Sequence, residues 1–131
     1  MSCARIKIIS VIPKILVVDD MPSMRQLIVA TVRSLGYKAE EADCGARALQ
    51  LLETDTYQLV LSDWNMPGMT GAQFVSALRQ RKNSIPVIMV TAECSRDCVL
   101  EMKAIGVSGY LIKPFKADAL ATVVTRALGV E

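Results

Sequence analysis

The sequence has no histidine among its 131 residues. Mechanisms that need an imidazole base or ligand are therefore excluded within this chain. Cysteine is present without the CxxC spacing typical of zinc sites; the four residues are Cys3, Cys44, Cys94 and Cys98. We therefore expect free thiols in a reducing cytosol, and a cytoplasmic protein.

Long apolar runs and an excess of one charge are also missing. The longest apolar runs have about five residues, far short of the ~20 that a membrane span needs. Lys7 interrupts the apolar start and no small-residue cleavage site follows, which argues against a signal peptide. The 15 basic and 13 acidic residues give a net charge of +2, which argues against a dedicated nucleic-acid binder. With 52% apolar residues, the length indicates one globular domain.

Short runs rich in β-branched residues or leucine alternate with longer stretches of helical periodicity. The short runs predict five strands, at Lys14–Val18, Lys38–Ala42, Leu59–Ser62, Val87–Val90 and Tyr110–Ile112. The second run, KAEEA, carries the weakest strand signal. The runs at 15–18, 59–62 and 87–90 are continuously apolar, as expected for strands covered on both faces.

Apolar residues spaced three and four apart predict five helices. The helices are marked by Met24 to Leu35, Ala48 to Leu52, Phe74 to Leu78, Val99 to Ile105, and Leu120 to Leu128. Alternating strands and helices indicate a parallel sheet, and five units are too few for an eightfold barrel. We therefore predict an α/β fold, an open doubly wound three-layer sandwich over residues 14–128. Residues 1–13 are predicted to form a short extension and 129–131 a tail.

Polar side chains stand at four of the five predicted strand ends. Asp19 and Asp20 follow the first strand, Asp63 the third, Thr91 the fourth and Lys113 the fifth. Sites in open parallel sheets form beyond the carboxyl ends of the strands. These five side chains are therefore expected to converge on one edge.

The chemistry of such a cluster follows from its charges. Three carboxylates within a few ångströms repel one another and need a cation, and oxygen ligands with open positions suit Mg²⁺. Lys113 can hold a phosphate oxygen, and Thr91 can donate a hydrogen bond to the same group. A carboxylate nucleophile, a metal and neutralising charge are the parts needed for phosphoryl transfer through an aspartyl-phosphate.

Five short motifs carry a resemblance to a known family. They are VVDD at 17–20, SDWNMP at 62–67, MVTAE at 89–93, SGY at 108–110 and KPF at 113–115. Together they resemble the receiver domain of two-component response regulators, and most closely the single-domain chemotaxis regulators. The resemblance covers residues 14 to 128 and implies a flavodoxin-like, five-stranded parallel sheet in the order 2-1-3-4-5.

The resemblance implies a role for each matching residue in phosphorylation. Asp63 would be the phosphoacceptor. Asp20, Asp63 and the backbone carbonyl of Asn65 would bind Mg²⁺ directly, and Asp19 would act through a metal-bound water. The protein would catalyse its own phosphorylation and dephosphorylation as a signalling domain.

The resemblance also implies a switch. Lys113 would pair with the phosphoryl group and Thr91 would bond to it, while Tyr110 would swing inward as Thr91 moves. Asn65 and Glu93 would flank the route of the hydrolytic water and tune the lifetime of the phosphoryl group. The bond between Lys113 and Pro114 is a candidate for the cis form.

The partners implied by the resemblance are proteins. The phosphoryl donor would be a histidine on a sensor kinase, which must be another molecule because this chain has none. No DNA-binding segment follows the last predicted helix, so we expect a monomer with protein–protein output and neither a nucleic-acid nor a membrane partner. The output face would consist of the fourth helix, fifth strand and fifth helix. Its candidate partners are the flagellar motor switch protein and a phosphatase.

Val123 departs from the pattern of regulators that dock on the motor, which usually carry a basic residue midway along the last helix. Either Val123 faces the core, or the output face meets another partner. A phosphorelay receiver or phosphate sink that does not act at the motor therefore stays open.

Three other functional classes are weighed against the receiver. A haloacid-dehalogenase-like phosphohydrolase would carry a second aspartate two residues after the nucleophile, where this chain has Asn65. A flavodoxin-like flavin binder would carry a loop rich in Ser, Thr or Gly after the first strand, where this chain has Asp19 and Asp20. A receiver that acts only as an interaction module would not need the complete set of five site residues.

Two further segments are given structural interpretations. Trp64, the only tryptophan, is expected to pack partly at the surface beside the site, where it can report on the site by fluorescence. Residues 79–82, with the sequence RQRK, are expected to form a solvated helix face.

Overall fold

The computed structural model describes residues 12–92 and 95–129. The five predicted strands are confirmed, and the fourth and fifth are each one residue longer than predicted. They are β1 (Lys14–Val18), β2 (Lys38–Ala42), β3 (Leu59–Ser62), β4 (Val87–Thr91) and β5 (Gly109–Ile112). The predictions made for Cys3, Glu93, Cys94, residues 1–11 and residues 130 and 131 fall outside the described residues.

Five helices lie between and after the strands, as predicted. They are α1 (Pro22–Ser34), α2 (Gly45–Thr54), α3 (Gly71–Gln80), α4 (Arg96–Ala104) and α5 (Ala117–Leu128). Local sequence explains where several of them begin. Pro22 occupies the first turn of α1, where its missing N–H costs nothing. Thr70 and Gln73 form a reciprocal capping box at the start of α3.

The sheet is parallel throughout and has the strand order β2-β1-β3-β4-β5, which confirms the predicted order. Strand β1 pairs with β2 on one side and β3 on the other, so Val18 lies opposite both Ala42 and Ser62. The carboxyl ends of β1 and β3 are therefore neighbours in the sheet. This adjacency brings together the acidic residues that follow the two strands.

Each face of the sheet carries an apolar layer, which completes the three-layer sandwich. Alternate residues of β1 point to opposite faces: Leu16 and Val18 to one, Ile15 and Val17 to the other. The first layer packs against α2, α3 and α4 through side chains that include Leu49, Phe74, Leu78 and Met102. The second packs against α1 and α5 through side chains that include Ile28, Val32, Leu120 and Val124. Because both faces are covered, the strand runs can be wholly apolar.

The expectation of a solvated helix face at residues 79–82 is wrong for Arg79. Its Nη1 donates to the carbonyls of Asn83 (3.0 Å) and Ile85 (2.8 Å), and its Nη2 donates to that of Gly106 (3.1 Å). Burial lowers the pKa of Arg79. This side chain therefore ties the loop after α3 to the loop after α4.

No helix in the described parts of the chain is both long and apolar enough to span a bilayer.

Candidate functional site

An acidic cluster lies at the carboxyl ends of β1 and β3. Asp19, Asp20 and Asp63 each offer a carboxylate oxygen, and these oxygens all lie within 4.8 Å of one another. Asp19 is 1% exposed and Asp63 is 7% exposed, whereas Asp20 is half-buried. We call these three residues the acid pocket. Two of its three carboxylates have lost most of their contact with water.

Backbone hydrogen bonds continue the sheet beyond the strand ends and fix the site residues. The N–H of Asp19 donates to the carbonyl of Ala42 (3.2 Å), and that of Asp63 donates to Val18 (2.9 Å). Between β4 and the residue that follows β5, the N–H of Lys113 donates to the carbonyl of Thr91 (2.9 Å). The site residues are thus held by the same pattern of backbone hydrogen bonds that joins the strands of the sheet.

Lys113 is the cation of the site. Its Nζ lies 2.9 Å from Oδ2 of Asp19 and 3.5 Å from Oδ2 of Asp63, and its side chain is 13% exposed. Among the residues that the structure describes, no other basic side chain forms an ion pair with the acid pocket. Three carboxylates therefore face one ammonium group.

Burial raises the pKa of Asp63, and the charge of Asp19 raises it further, against the opposing charge of Lys113 and the backbone N–H groups of Asn65 and Trp64. The Trp64 N–H lies 2.8 Å from Oδ1 of Asp63. Lys113 and these hydrogen bonds thus do not fully compensate the ionised form of Asp63. An additional cation in the pocket would favour that form.

The donor set of the acid pocket fits a hard divalent cation. All three side chains offer oxygen, none offers sulfur or nitrogen, and their charge exceeds that of Lys113. Oxygen donors and excess negative charge are what Mg²⁺ requires in proteins. Asp19, Asp20 and Asp63 are therefore the residues that could hold such an ion.

Gly71, at the start of α3, was not singled out by the sequence analysis but touches the site. A β-carbon there would lie 2.7 Å from the carbonyl oxygen of Asp63 and 2.8 Å from Cα of Trp64. The Gly71 N–H donates to the Trp64 carbonyl at 2.8 Å. Only glycine allows α3 to approach the backbone of Asp63 so closely.

This approach also corrects the expectation for Trp64. The side chain is 8% exposed and belongs to the apolar layer between the sheet and helices α2 to α4. It does not pack at the surface, because the start of α3 closes over its backbone. A buried indole directly after Asp63 is well placed to sense changes in the acid pocket.

The predicted switch residues lie along β4 and β5. Thr91, at the end of β4, is fully buried, and Lys113 follows β5. Tyr110 pairs with Met89 on the neighbouring strand and is 42% exposed. It lies on the edge strand β5, which β4 separates from β3, so Tyr110 is not part of the acid pocket. Asn65 is exposed beside Asp63.

The position of Val123 agrees in part with each of the two interpretations given above. It packs against the apolar layer formed with α1 and α5, and it also lines a groove beside Tyr110 and Arg126. A half-buried valine therefore occupies the predicted output face, where the pattern of motor-docking regulators has a basic residue.

Comparison with known families decides the class of this site. A model of the response regulator receiver domain matches residues 15–125. The chain belongs to the response regulator receiver domain family. It is therefore a signalling receiver of the two-component type, and the alternatives of a phosphohydrolase and a flavin binder are set aside.

Named relatives of this receiver domain are chemotaxis proteins. It is 46% identical over 110 residues to the chemotaxis protein CheY of Pseudomonas aeruginosa, covering 82% of this chain and 89% of that one. It is 41% identical over 110 residues to chemotaxis protein CheY-3 of Vibrio cholerae, covering 82% and 85%. The predicted similarity to chemotaxis regulators is thereby confirmed.

Solved structures of receiver domains share the fold. CheY4 of Vibrio cholerae superposes with a TM-score of 0.86 at 38% identity, covering 90% of this chain and 100% of that one. The response regulator TrrA of Thermotoga maritima, solved in complex with Mg²⁺ and BeF, superposes with a TM-score of 0.81 at 32% identity, covering 89% and 100%. The flavodoxin-like assignment is confirmed.

Proposed function

We propose that this receiver accepts a phosphoryl group on Asp63 from a phosphohistidine of a partner sensor kinase. The observation that carries the proposal is the acid pocket, in which three carboxylates lie close together and Lys113 pairs with two of them, Asp19 and Asp63. A site with too little positive charge is suited to a reaction that brings a metal ion and a phosphoryl group into it.

The transfer itself is a single displacement at phosphorus. An oxygen of the ionised Asp63 carboxylate forms a new bond to phosphorus as the bond to the histidine nitrogen breaks. The imidazole leaves with the electron pair and takes a proton from solvent, and Asp63 becomes an acyl phosphate. The Trp64 N–H, 2.8 Å from Oδ1 of Asp63, orients the carboxylate during the attack.

Three groups neutralise the charge that the phosphoryl oxygens bring. Lys113 moves from its carboxylate partners to a phosphoryl oxygen, and the Thr91 hydroxyl donates a hydrogen bond to the same group. Asp20, Asp63 and the Asn65 carbonyl would hold Mg²⁺, and Asp19 would act on the ion indirectly, through water. The ion supplies charge neutralisation and orients the phosphoryl oxygens when bound.

Phosphorylation then shifts an equilibrium between two conformations. Movement of Thr91 toward the phosphoryl group vacates space beside β4, and Tyr110 turns from its exposed position into that space. The changed face of α4, β5 and α5 binds a target protein in a chemotaxis-type pathway in the cytoplasm. Asn65, exposed beside Asp63, and Glu93 set the lifetime of the phosphoryl group.

The flagellar motor switch protein is one candidate target, supported by the likeness to chemotaxis proteins. Val123 supports the other candidate, because a valine in the groove beside Tyr110 makes this part of the face less basic. A receiver with that face would serve as a phosphorelay partner or phosphate sink. Binding of the phosphorylated chain to purified motor switch protein, compared with a Val123→Lys variant, distinguishes the two.

Asp63→Asn tests the phosphoacceptor assignment, with Asp55→Asn as a matched control at the opposite edge of the sheet. Wild type and Asp55→Asn, incubated with Mg²⁺ and a small phosphoramidate donor, should each gain one phosphoryl group in the intact mass. Asp63→Asn should gain none. Full phosphorylation of Asp63→Asn would overturn the assignment, and a wild type that stays unphosphorylated would indicate an interaction module.

A further inference from the structure

Arg25 links three elements around the acid pocket, although it is not one of its acids or its lysine. It lies in the first turns of α1, with its side chain 15% exposed. Its Nη1 donates to the backbone carbonyl of Asp19 at 2.8 Å. Its Nε donates to Oε1 of Glu41, on β2, at 2.7 Å. One guanidinium group thus joins α1, the end of β1 and the edge strand β2.

The carbonyl that Arg25 holds belongs to the peptide between Asp19 and Asp20. A peptide unit is planar, so fixing the direction of its carbonyl also fixes the direction in which the next residue leaves. The other side of the same turn is held by the Asp19 carboxylate, whose Oδ1 accepts the Met21 N–H at 2.9 Å. The turn is therefore held on both sides of Asp20, at the Asp19 carbonyl and at the Met21 N–H.

This turn is where the acid pocket needs restraint. The carboxylates of Asp19 and Asp20 lie close to that of Asp63, and their mutual repulsion favours any movement of the turn that separates them. Arg25 opposes such movement through the backbone carbonyl of Asp19, so it takes up none of the carboxylate oxygens of the pocket. Glu41 restrains the guanidinium in turn, since a planar fork held at two nitrogens has little freedom.

We propose that Arg25, oriented by Glu41, is a positioning residue that preorganises the Asp19–Asp20 turn for a divalent cation. The inference rests on the Mg²⁺ site proposed above. Groups that orient the ligands of a metal, without touching it, typically contribute about 10-fold or more to its affinity. Arg25 acts here on the peptide that places the ligand Asp20.

Arg33 provides a matched control on the same helix. Its Nη2 donates to the backbone carbonyl of Ala39, on β2, at 2.9 Å. It therefore makes the same kind of bond between α1 and the sheet, but two turns further from the acid pocket. Removing either arginine weakens the attachment of α1, and only removal of Arg25 frees the Asp19–Asp20 peptide.

The test compares Arg25→Met, Arg33→Met, Glu41→Gln and wild type in two measurements. Mg²⁺ titration followed by Trp64 fluorescence should show about 10-fold weaker binding for Arg25→Met, a smaller loss for Glu41→Gln, and a change within about 2-fold for Arg33→Met. In the metal-free protein, the Met21 amide hydrogen should exchange with solvent faster in Arg25→Met than in wild type. In Arg33→Met it should exchange at the wild-type rate.

The outcomes separate this inference from the proposed function. If Arg25→Met binds Mg²⁺ with wild-type affinity, the positioning role alone is overturned. An equal loss of affinity in Arg33→Met overturns it as well. If Arg25→Met does not fold, Arg25→Lys replaces it, because lysine cannot reach both acceptors with a rigid fork and should bind Mg²⁺ more weakly. A wild type that shows no Mg²⁺ binding by fluorescence or calorimetry overturns the proposed site, and this inference with it.

Discussion

Two lysines lie among carboxylates at opposite edges of the same sheet. Lys113, at the carboxyl edge, faces the acid pocket. Lys14, at the amino edge, contacts Asp55, lies 3.6 Å from Glu40, and sits 4.7 Å from the centre of the Tyr57 ring. We call these four residues the Lys14 cluster. Both clusters place one lysine beside carboxylates, but the acid pocket is more buried and has one carboxylate more.

One carboxyl group in each cluster has a shifted pKa, and the two shifts have opposite directions. The hydrogen bond from Lys14, together with the N–H of Thr56, lowers the pKa of Asp55. Burial raises the pKa of Asp63 in spite of Lys113. In the exposed Lys14 cluster, the hydrogen bond from Lys14 outweighs the effect of burial on Asp55. In the acid pocket, which is more buried and has a third carboxylate, Lys113 does not offset the burial of Asp63, so this site favours an additional cation.

Replacing each lysine by methionine should reveal the largest difference between the two clusters. Lys113→Met leaves Asp19 and Asp63 buried without a cation, so the metal-free protein should lose about 3 kcal/mol of stability, part of which Mg²⁺ restores. Phosphorylation should slow at least about 100-fold. Lys14→Met should lose less stability and keep the wild-type rate. Urea unfolding and intact-mass time courses measure both, and equal effects in the two variants would contradict the comparison.

Removing one acid from each cluster should have opposite effects on stability. Asp20→Asn relieves repulsion in the acid pocket and should raise the metal-free stability on the order of 1 kcal/mol, or about 3 °C in Tm. Asp55→Asn removes a satisfied partner of Lys14 and should lower Tm slightly. Adding Mg²⁺ should reverse the order of wild type and Asp20→Asn, because the variant binds the ion less well. A lower metal-free Tm for Asp20→Asn would count against the repulsion argument.

The smallest effect should be a difference in pH dependence between two asparagine variants. The raised pKa of Asp63 means that its ionisation opposes folding, so Asp63→Asn should be more stable than wild type at pH 7 without metal. That advantage should shrink as the pH falls through the pKa of folded Asp63 toward the ordinary value of 3.8.

Asp55 should behave in the opposite sense. Its lowered pKa contributes stability above the ordinary value of 3.8, and that stability is lost as the pH falls through the pKa of the folded state. Asp55→Asn should therefore be less stable than wild type at pH 7 and equal to it in acid. Urea unfolding across this range in chelated buffer gives both curves, and curves of the same sign would refute the assignment.

The fold could be predicted because its signals are local. Apolar runs of four or five residues marked β1, β3 and β4, and the alternation with helical periodicity left few topologies. The strand ends then carried Asp19, Asp63 and Lys113 to a common edge, since parallel strands all point the same way. The bond between Lys113 and Pro114, for which the family resemblance suggested the cis form, is cis.

What could not be predicted depends on tertiary distances. Gly71 gave no signal beyond that of a turn, and the need for its missing β-carbon appears only when α3 lies against Asp63. In the sequence, Arg25 resembles any arginine on a helix surface, and only the structure shows its hydrogen bond to the carbonyl of Asp19. Arg79 was misjudged for the same reason, because its carbonyl partners come from loops after two different helices. Composition does not reveal which basic side chains turn back toward the backbone.

β2 is an edge strand of the sheet, so one side of its backbone has no partner strand among the described residues. Such an edge can template the addition of a strand from another molecule. Three of the five residues of β2, Lys38, Glu40 and Glu41, are charged and exposed. Charged side chains make the addition of a foreign strand costly. The composition that made β2 the least obvious strand thus protects the protein from edge-to-edge aggregation along this side when it is concentrated.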